Sequence, residues 1–260
     1  MRPVAVVTGA SSGIGAAFAR ELARRGHDLW ITARRHDRLE ELASEIREAS
    51  GARVDVLALD LANAEGPRAL LDRLSVERVV PDLFVNNAGF GYMGEALDLD
   101  HATSLEMIQL NISALTELTL GIARRMVAIG RGGIINVAST AAFQPTPFTA
   151  VYGATKAFVL SFSESLNEEL SGRGVRVHTL CPGFTESEFH SRAGSPGGVP
   201  RWMGTTPEEC VRRDLDAYAR GEAVYIDGAI NWLGALTQRL VPRRLVVRMS
   251  GRLMKPRSPR

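Results

Sequence analysis

Short apolar runs alternate along the chain with longer stretches in which apolar residues recur at three- and four-residue spacing. The runs fall at residues 4–7, 29–32, 54–59, 83–85, 133–137, 175–180 and 223–226. Near-continuous apolar runs of this length are what a parallel strand shows when both of its faces are covered. Between them, residues 16–25, 65–74, 102–129 and 152–170 read as helices, and Leu39, Leu42 and Ile46 mark the apolar stripe of another. Gly26 follows the first helix as a C-cap. Strands alternating with helices predict an α/β fold: a doubly wound, Rossmann-like parallel sheet of about seven strands with helices on both faces. No linker or repeat interrupts the rhythm, so residues 1–255 are expected to form one domain. The stretch 184–205 breaks the period and is rich in Gly and Pro, which reads as a lid. Residues 256–260 read as a disordered tail.

Composition narrows the function classes. A 45% hydrophobic, 23% charged chain can bury a core without disulfides or metal staples. A formal charge of +2 gives no general case for nucleic-acid binding. Cys181 and Cys210 stand too far apart for a metal or redox pair; Cys181, in an apolar run, reads as a buried core thiol, and this usage suits a reducing compartment. Met1-Arg2-Pro3 leads directly into the first strand, and that run meets Gly9 too soon to read as a secretory signal, so a cytoplasmic location is expected.

The first strand ends in Thr8-Gly9-Ala10-Ser11-Ser12-Gly13-Ile14-Gly15 and a helix follows. Glycines here allow a tight turn and a close approach of phosphate to backbone, while the helix N-terminus offers free N–H groups. Dinucleotide binding at Gly9, Ser11, Ser12, Gly13, Ile14 and Gly15 is therefore expected. The second strand ends Ala33-Arg34-Arg35 without the acid that selects NAD(H) by its ribose hydroxyls. A guanidinium at this point suits a 2′-phosphate, so NADP(H) is the expected cofactor, with NAD(H) second. Arg34 is the first candidate for that contact and Arg35 the second.

Tyr152 and Lys156 lie one helical turn apart and project from one face. A phenol titrates near 10, too high for proton shuttling at neutral pH, and a neighbouring ammonium favours its anion. Ser139 follows the fifth strand at the carboxyl edge, where doubly wound sheets bind ligands. Asn111 is an amide inside a long helical stretch, either a satisfied helix residue or the holder of a water in a proton path.

These segments together resemble the short-chain dehydrogenase/reductase family in its standard single-domain form. The resemblance covers roughly residues 3–190 and rests on TGASSGIG from Thr8, Asp60 in LALDL, NNAG from Asn86, Asn111, Ser139, YGATK from Tyr152, and Pro182-Gly183. It implies that Tyr152 protonates a carbonyl oxygen or deprotonates an alcohol, with Ser139 orienting that oxygen. It implies that Lys156 binds the nicotinamide ribose and lowers the Tyr152 pKa, and that Asn111 holds a relay water. Asp60 and Leu61 would meet the adenine. Asn87, Ala88 and Gly89 would line the groove, with Pro182, Gly183 and Thr185 near the nicotinamide. The family's threonine after Pro-Gly is replaced by Ser187. Dimers or tetramers are also implied, and a weaker likeness points to the 3-oxoacyl reductase and hydroxysteroid dehydrogenase branch.

Phe143, Phe148, Phe184, Phe189, Trp202 and Met203 flank the expected substrate pocket and suit a lipophilic carbonyl compound. A dinucleotide-binding sensor without turnover is the alternative, and the complete acid–base set argues against it. A lyase or epimerase would need further acid–base groups, for which Glu188 and His190 are candidates. From Asn231 onward the chain is apolar and basic without an acid. It is expected to pack on the body or a partner subunit, with contact to an anionic membrane surface as the second reading.

Overall fold

The computed structural model describes residues 2–185 and 204–255. The expected lid residues Ser187, Glu188, Phe189, His190, Trp202 and Met203 and the tail 256–260 lie outside the described residues. The strands are β1 (Val4–Thr8), β2 (Asp28–Ala33), β3 (Val54–Ala58), β4 (Leu83–Asn86), β5 (Gly132–Val137), β6 (Val175–Cys181) and β7 (Val224–Ile226). They form one parallel sheet in the order β3-β2-β1-β4-β5-β6-β7. The order reverses between β1 and β4, which opens a crevice at the carboxyl edge of the sheet.

Helices cover both faces. α1 (Gly13–Arg24), α2 (His36–Ser50) and α7 (Pro207–Ala219) lie on one; α3 (Glu65–Val76), α5 (Leu115–Ile129) and α6 (Ala150–Glu169) lie on the other. Alternation within each strand divides the core between them. Ala5, Val7, Leu29 and Ile31 face Phe18, Leu22 and Leu39, whereas Val6, Trp30 and Phe84 face Leu70 and Leu118. Each fully buried Leu, Ile or Phe contributes about 1.5–3 kcal/mol.

The stretch read as one helix from 102 to 129 is interrupted. α4 (His101–Ile108) runs into a π-helical turn, Gln109–Ala114, before α5 begins. The turn admits one more residue per hydrogen-bonded ring and carries buried Asn111. Beyond β7 come α8 (Ala229–Thr237), a 3₁₀ turn (Gln238–Leu240) and α9 (Arg243–Met254). α1 begins at Gly13, inside the glycine segment, rather than after it.

Candidate active site

The glycine turn is locked against the end of β4. Gly9 has φ +67°, and a Cβ there would lie 2.8 Å from Asn87 Nδ2. A Cβ on Gly15 would collide with the Gly9 carbonyl oxygen and Asn87 Nδ2. Asn87 Nδ2 donates to Thr8 O at 2.9 Å and Gly9 O at 3.3 Å. Thr8 Oγ1 accepts from the N–H groups of Asn87 (2.9 Å) and Ala88 (3.0 Å). Thr8 was legible as part of the motif but was not read as a site residue; its buried hydroxyl ties the turn to the groove wall. A Cβ on Gly89 would sit 2.9 Å from Asn111 Oδ1 and 3.5 Å from Lys156 Nζ. Only glycine leaves this space open, so the cradle fits a dinucleotide.

The two arginines after β2 differ in what they reach. Arg34 is exposed and reaches Glu106 of α4 at 3.4 Å. Arg35 turns back over the glycine segment, and its Nη2 donates to Ser11 Oγ at 3.0 Å and Ser12 Oγ at 2.8 Å. The difference follows from position: Arg35 is the N-cap residue of α2 in extended conformation (φ −87°, ψ 93°), and its Nε also donates to Ser11 Oγ at 3.2 Å. Arg35, not Arg34, therefore stands at the turn. Asp60 follows β3 and accepts from Ala62 N at 3.0 Å. Leu61 is buried in the core, which leaves its main chain rather than its side chain to face a ligand.

Tyr152, Ser139 and Lys156 meet at the carboxyl end of β5. The Ser139 and Tyr152 side chains share a hydrogen bond. Ser139 Oγ also accepts from Ala141 N at 3.1 Å, as the N-cap of the 3₁₀ turn Thr140–Phe143. Lys156 is buried, donates to Val137 O at 2.7 Å, and holds Nζ 5.9 Å from the centre of the Tyr152 ring. Asn111 is fully engaged: Nδ2 donates to Phe90 O (2.9 Å) and Thr155 Oγ1 (3.0 Å), and Oδ1 accepts from Phe90 N (3.2 Å). Thr155 Oγ1 donates to Tyr152 O at 2.7 Å. The amide thus staples the π-helical turn to the helix turn that carries Tyr152 and Lys156. Thr155, Phe90 O and Val137 O escaped the sequence reading because main-chain and long-range partners leave no spacing signal.

Burial dominates the titration of this group. It pushes the Tyr152 phenol up to about 12, against the lowering effect of Ser139. It lowers the Lys156 ammonium to about 8. The expected lowering of the phenol by the ammonium is not what governs it: desolvation does, and the phenol is held protonated at neutral pH. Cys181 is buried beside the pair, and burial raises its thiol too far for thiolate chemistry.

Pro182 O accepts from Thr140 N at 2.9 Å, fixing β6's exit beside Ser139. Gly183 is pressed against the Asn231 side chain, and Asn231 Nδ2 donates to Asp227 O at 2.6 Å. Thr185 is buried and bridges Thr205 as a short parallel pair. Phe148 and Tyr152 line an apolar cleft with Tyr92, Leu99 and Met107. Phe143 instead packs against the core around Leu115 and Val159.

A glycine turn opening one end of a groove and a protonated phenol closing the other are built to pass a hydride at a carbonyl carbon. By class the protein is a NAD(P)-dependent oxidoreductase that interconverts carbonyl and alcohol. Residues 3–196 match the short chain dehydrogenase family, and the chain belongs to that family. Sulfoacetaldehyde reductase 2 of Chromohalobacter salexigens is 38% identical over 191 residues, 73% of this chain and 75% of that one. A short-chain dehydrogenase from Sphingobium yanoikuyae, solved in complex with NADPH, is 36% identical with a TM-score of 0.83, covering 99% of this chain and 98% of that one. The bulky-bulky ketone specific alcohol dehydrogenase from Comamonas testosteroni is 31% identical with a TM-score of 0.79, covering 99% and 96%.

Proposed function

We propose that this chain is an NADP(H)-dependent reductase and dehydrogenase of lipophilic ketones, with Tyr152 as general acid in reduction and general base in oxidation. The observation that carries the reading is the Ser139–Tyr152 hydrogen bond beside buried Lys156, at the end of the glycine-lined groove. A bound nicotinamide supplies or accepts the hydride. In reduction, Tyr152 gives its proton to the carbonyl oxygen as charge develops there, and Ser139 donates to the same oxygen. Lys156 has N–H donors beyond the one given to Val137 O, and these serve a ribose hydroxyl. The Asn111 side chain positions α6, so a relay water is left to main-chain carbonyls of the π-helical turn.

Gly9, Ser11, Ser12, Gly13, Ile14 and Gly15 cradle the pyrophosphate, with Asn87, Ala88 and Gly89 along the ribose. Asp60 and Leu61 bound the adenine end; Pro182, Gly183 and Thr185 bound the nicotinamide end. Arg35, held over Ser11 and Ser12, supports preference for the 2′-phosphate of NADP(H). The NADPH bound to the Sphingobium relative agrees in direction.

The character of the lining at Tyr152, rather than the size of the cleft, which is only about 10 Å³, supports the substrate class. Leu99, Met107, Phe148 and Val151 give the cleft apolar walls, and among the described residues no arginine or lysine lines it. Phe148 holds φ +66°, a strained conformation for a bulky residue, and its carbonyl accepts from Gly94 N at 2.8 Å. Strain fixed by a hydrogen bond keeps the ring at the cleft.

The test is oxidation of NADPH and NADH against steroid ketones, bulky aryl ketones, 3-oxoacyl thioesters, quinones and sulfoacetaldehyde. Turnover of bulky ketones with NADPH that disappears in Tyr152→Phe supports the assignment. Tight NADPH binding with no turnover across the panel would favour a sensor.

A further inference from the structure

We propose that the C-terminal arm, α8 and α9, is a docking surface for an anionic lipid bilayer and holds the mouth of the active site against it. The fold leaves the arm's apolar side uncovered. Trp232, Leu236 and Leu240 follow one another at four-residue spacing and are 55%, 46% and 84% exposed. On α9, Val246 and Ser250 face the body of the protein, while Leu245 and Met249 face outward. Arg244, Arg248 and Arg252 repeat every four residues and form an exposed stripe along that helix. Apolar residues flanking an arginine stripe are the features of a helix that lies in a membrane interface. No helix among the described residues is long and apolar enough to cross a membrane.

Charge decides between occupants. From Gly228 to Arg260 the sequence holds eight lysines and arginines and no acidic residue, although the whole chain is only +2. The cationic excess is therefore confined to the arm, and the rest of the chain is net acidic. Two copies joined through this face would bring like charges together with no carboxylate of the arm to offset them. Anionic headgroups complement the arginines, and acyl chains accept the leucines and Trp232.

The arm is also joined to the walls of the site. Asn231 of α8 abuts Gly183. Gly251 of α9 lies against Pro147, and Ser250 Oγ approaches Gln144 Oε1 at 3.5 Å. Both contacts fall in the segment that presents Phe148 to the cleft. Docking would bring that cleft to the bilayer, where lipophilic ketones concentrate. The surface does not depend on the catalytic assignment, because vesicle binding is read without turnover.

Full-length protein sedimented with vesicles of equal parts phosphatidylcholine and phosphatidylglycerol, and with pure phosphatidylcholine vesicles, tests the proposal. The expected result is partition onto the anionic vesicles alone, weakened by added salt. Each arginine near the surface is worth about fivefold, so R244E/R248E/R252E, which also adds three like charges, should lose upward of about a hundredfold in partition while its circular dichroism is unchanged. Trp232→Ser should also weaken binding; if that variant does not fold, the arginine variant decides. Absent binding, equal binding to both vesicle types, or full binding by the arginine variant would each overturn the proposal. So would a dimer that dissociates in Leu236→Asp and excludes vesicles in the wild type, since a second copy would then own the face.

Discussion

Strand β6 carries buried titratable groups on both of its faces, and the two sets differ in how fully the fold satisfies them. Toward α7, His178 has no exposure; Nδ1 meets Glu222 O at 2.7 Å and Nε2 meets Asp214 Oδ1 at 2.8 Å. Tyr218 packs edge-on against its ring. Toward α6, Cys181 adjoins Tyr152 and Lys156, where the phenol is held by Ser139 and the ammonium by a single carbonyl. Both sets are desolvated, so burial alone does not mark function. The discriminating feature is spare hydrogen-bonding capacity at an open cleft. His178 has none left, and the spare Asp214 Oδ2 is buried away from any cleft, while Lys156 retains donors beside a groove that Gly89 keeps clear.

The largest effect that sharpens this contrast is Tyr152→Phe. Loss of a general acid lowers kcat by about 10²–10⁴-fold. NADPH affinity and melting temperature should stay near wild type, because the ring is kept and the lost hydroxyl bonds the Ser139 side chain. Retained turnover in the variant would remove the acid–base role. On the other face, Asp214→Ala should behave oppositely. Leaving a buried partner unpaired costs about 3–5 kcal/mol, seen as a fall in denaturation midpoint, while kcat of the folded fraction holds. A collapse of kcat at unchanged stability would dissolve the distinction between the two faces.

The same contrast explains what the sequence could disclose. The strands are legible because each is buried on both faces and so reads as an apolar run. The glycine turn, Tyr152 and Lys156 are legible because their chemistry requires fixed local spacing. His178 and Asp214 are not, since a strand and a helix 36 residues apart bring them together. The π-helical turn at Gln109–Ala114 is hidden as well, because an extra residue in one turn barely disturbs an apolar stripe. Arg34 and Arg35 are adjacent cations in sequence, and only the extended N-cap of α2 turns the second one over Ser11 and Ser12. Around Trp232 the amphipathic pattern was legible, but whether its stripe is covered depends on packing that spacing does not encode.

Arg35→Ala and Arg34→Ala carry the contrast to the cofactor end. A hydrogen bond to a charged group contributes about 1.5–3 kcal/mol, so Arg35→Ala should weaken NADPH binding by about 10–100-fold and NADH binding much less. Arg34→Ala, whose guanidinium reaches Glu106 at 3.4 Å in solvent, should change either affinity only slightly. Titration of both cofactors by fluorescence measures this, and a larger NADPH loss in Arg34→Ala would return the phosphate contact to that residue.

The smallest effect is the pH dependence of stability from the closed pair. His178 faces a main-chain carbonyl through one ring nitrogen and a carboxylate through the other, and Asp214 and Glu222 hold its pKa above the ordinary value against the cost of burial. Burial displaces Asp214 upward too, so the pair favours keeping its proton. A folded pKa above the unfolded one means stabilisation complete below the unfolded histidine value of about 6.5 and lost as pH rises through the folded value. Lys156 works in the opposite sense: its pKa is lowered from 10.5 to about 8, so the fold gains stability as pH rises across that interval. Comparing wild type with His178→Gln cancels the lysine, which both proteins share. The wild type's advantage in melting temperature should therefore shrink from weakly acidic to alkaline pH. A constant advantage would mean that folding leaves the histidine pKa where it is in the unfolded chain, and a growing one that the fold lowers it and keeps the ring neutral; either would remove the stabilisation assigned to the proton on the α7 face of β6.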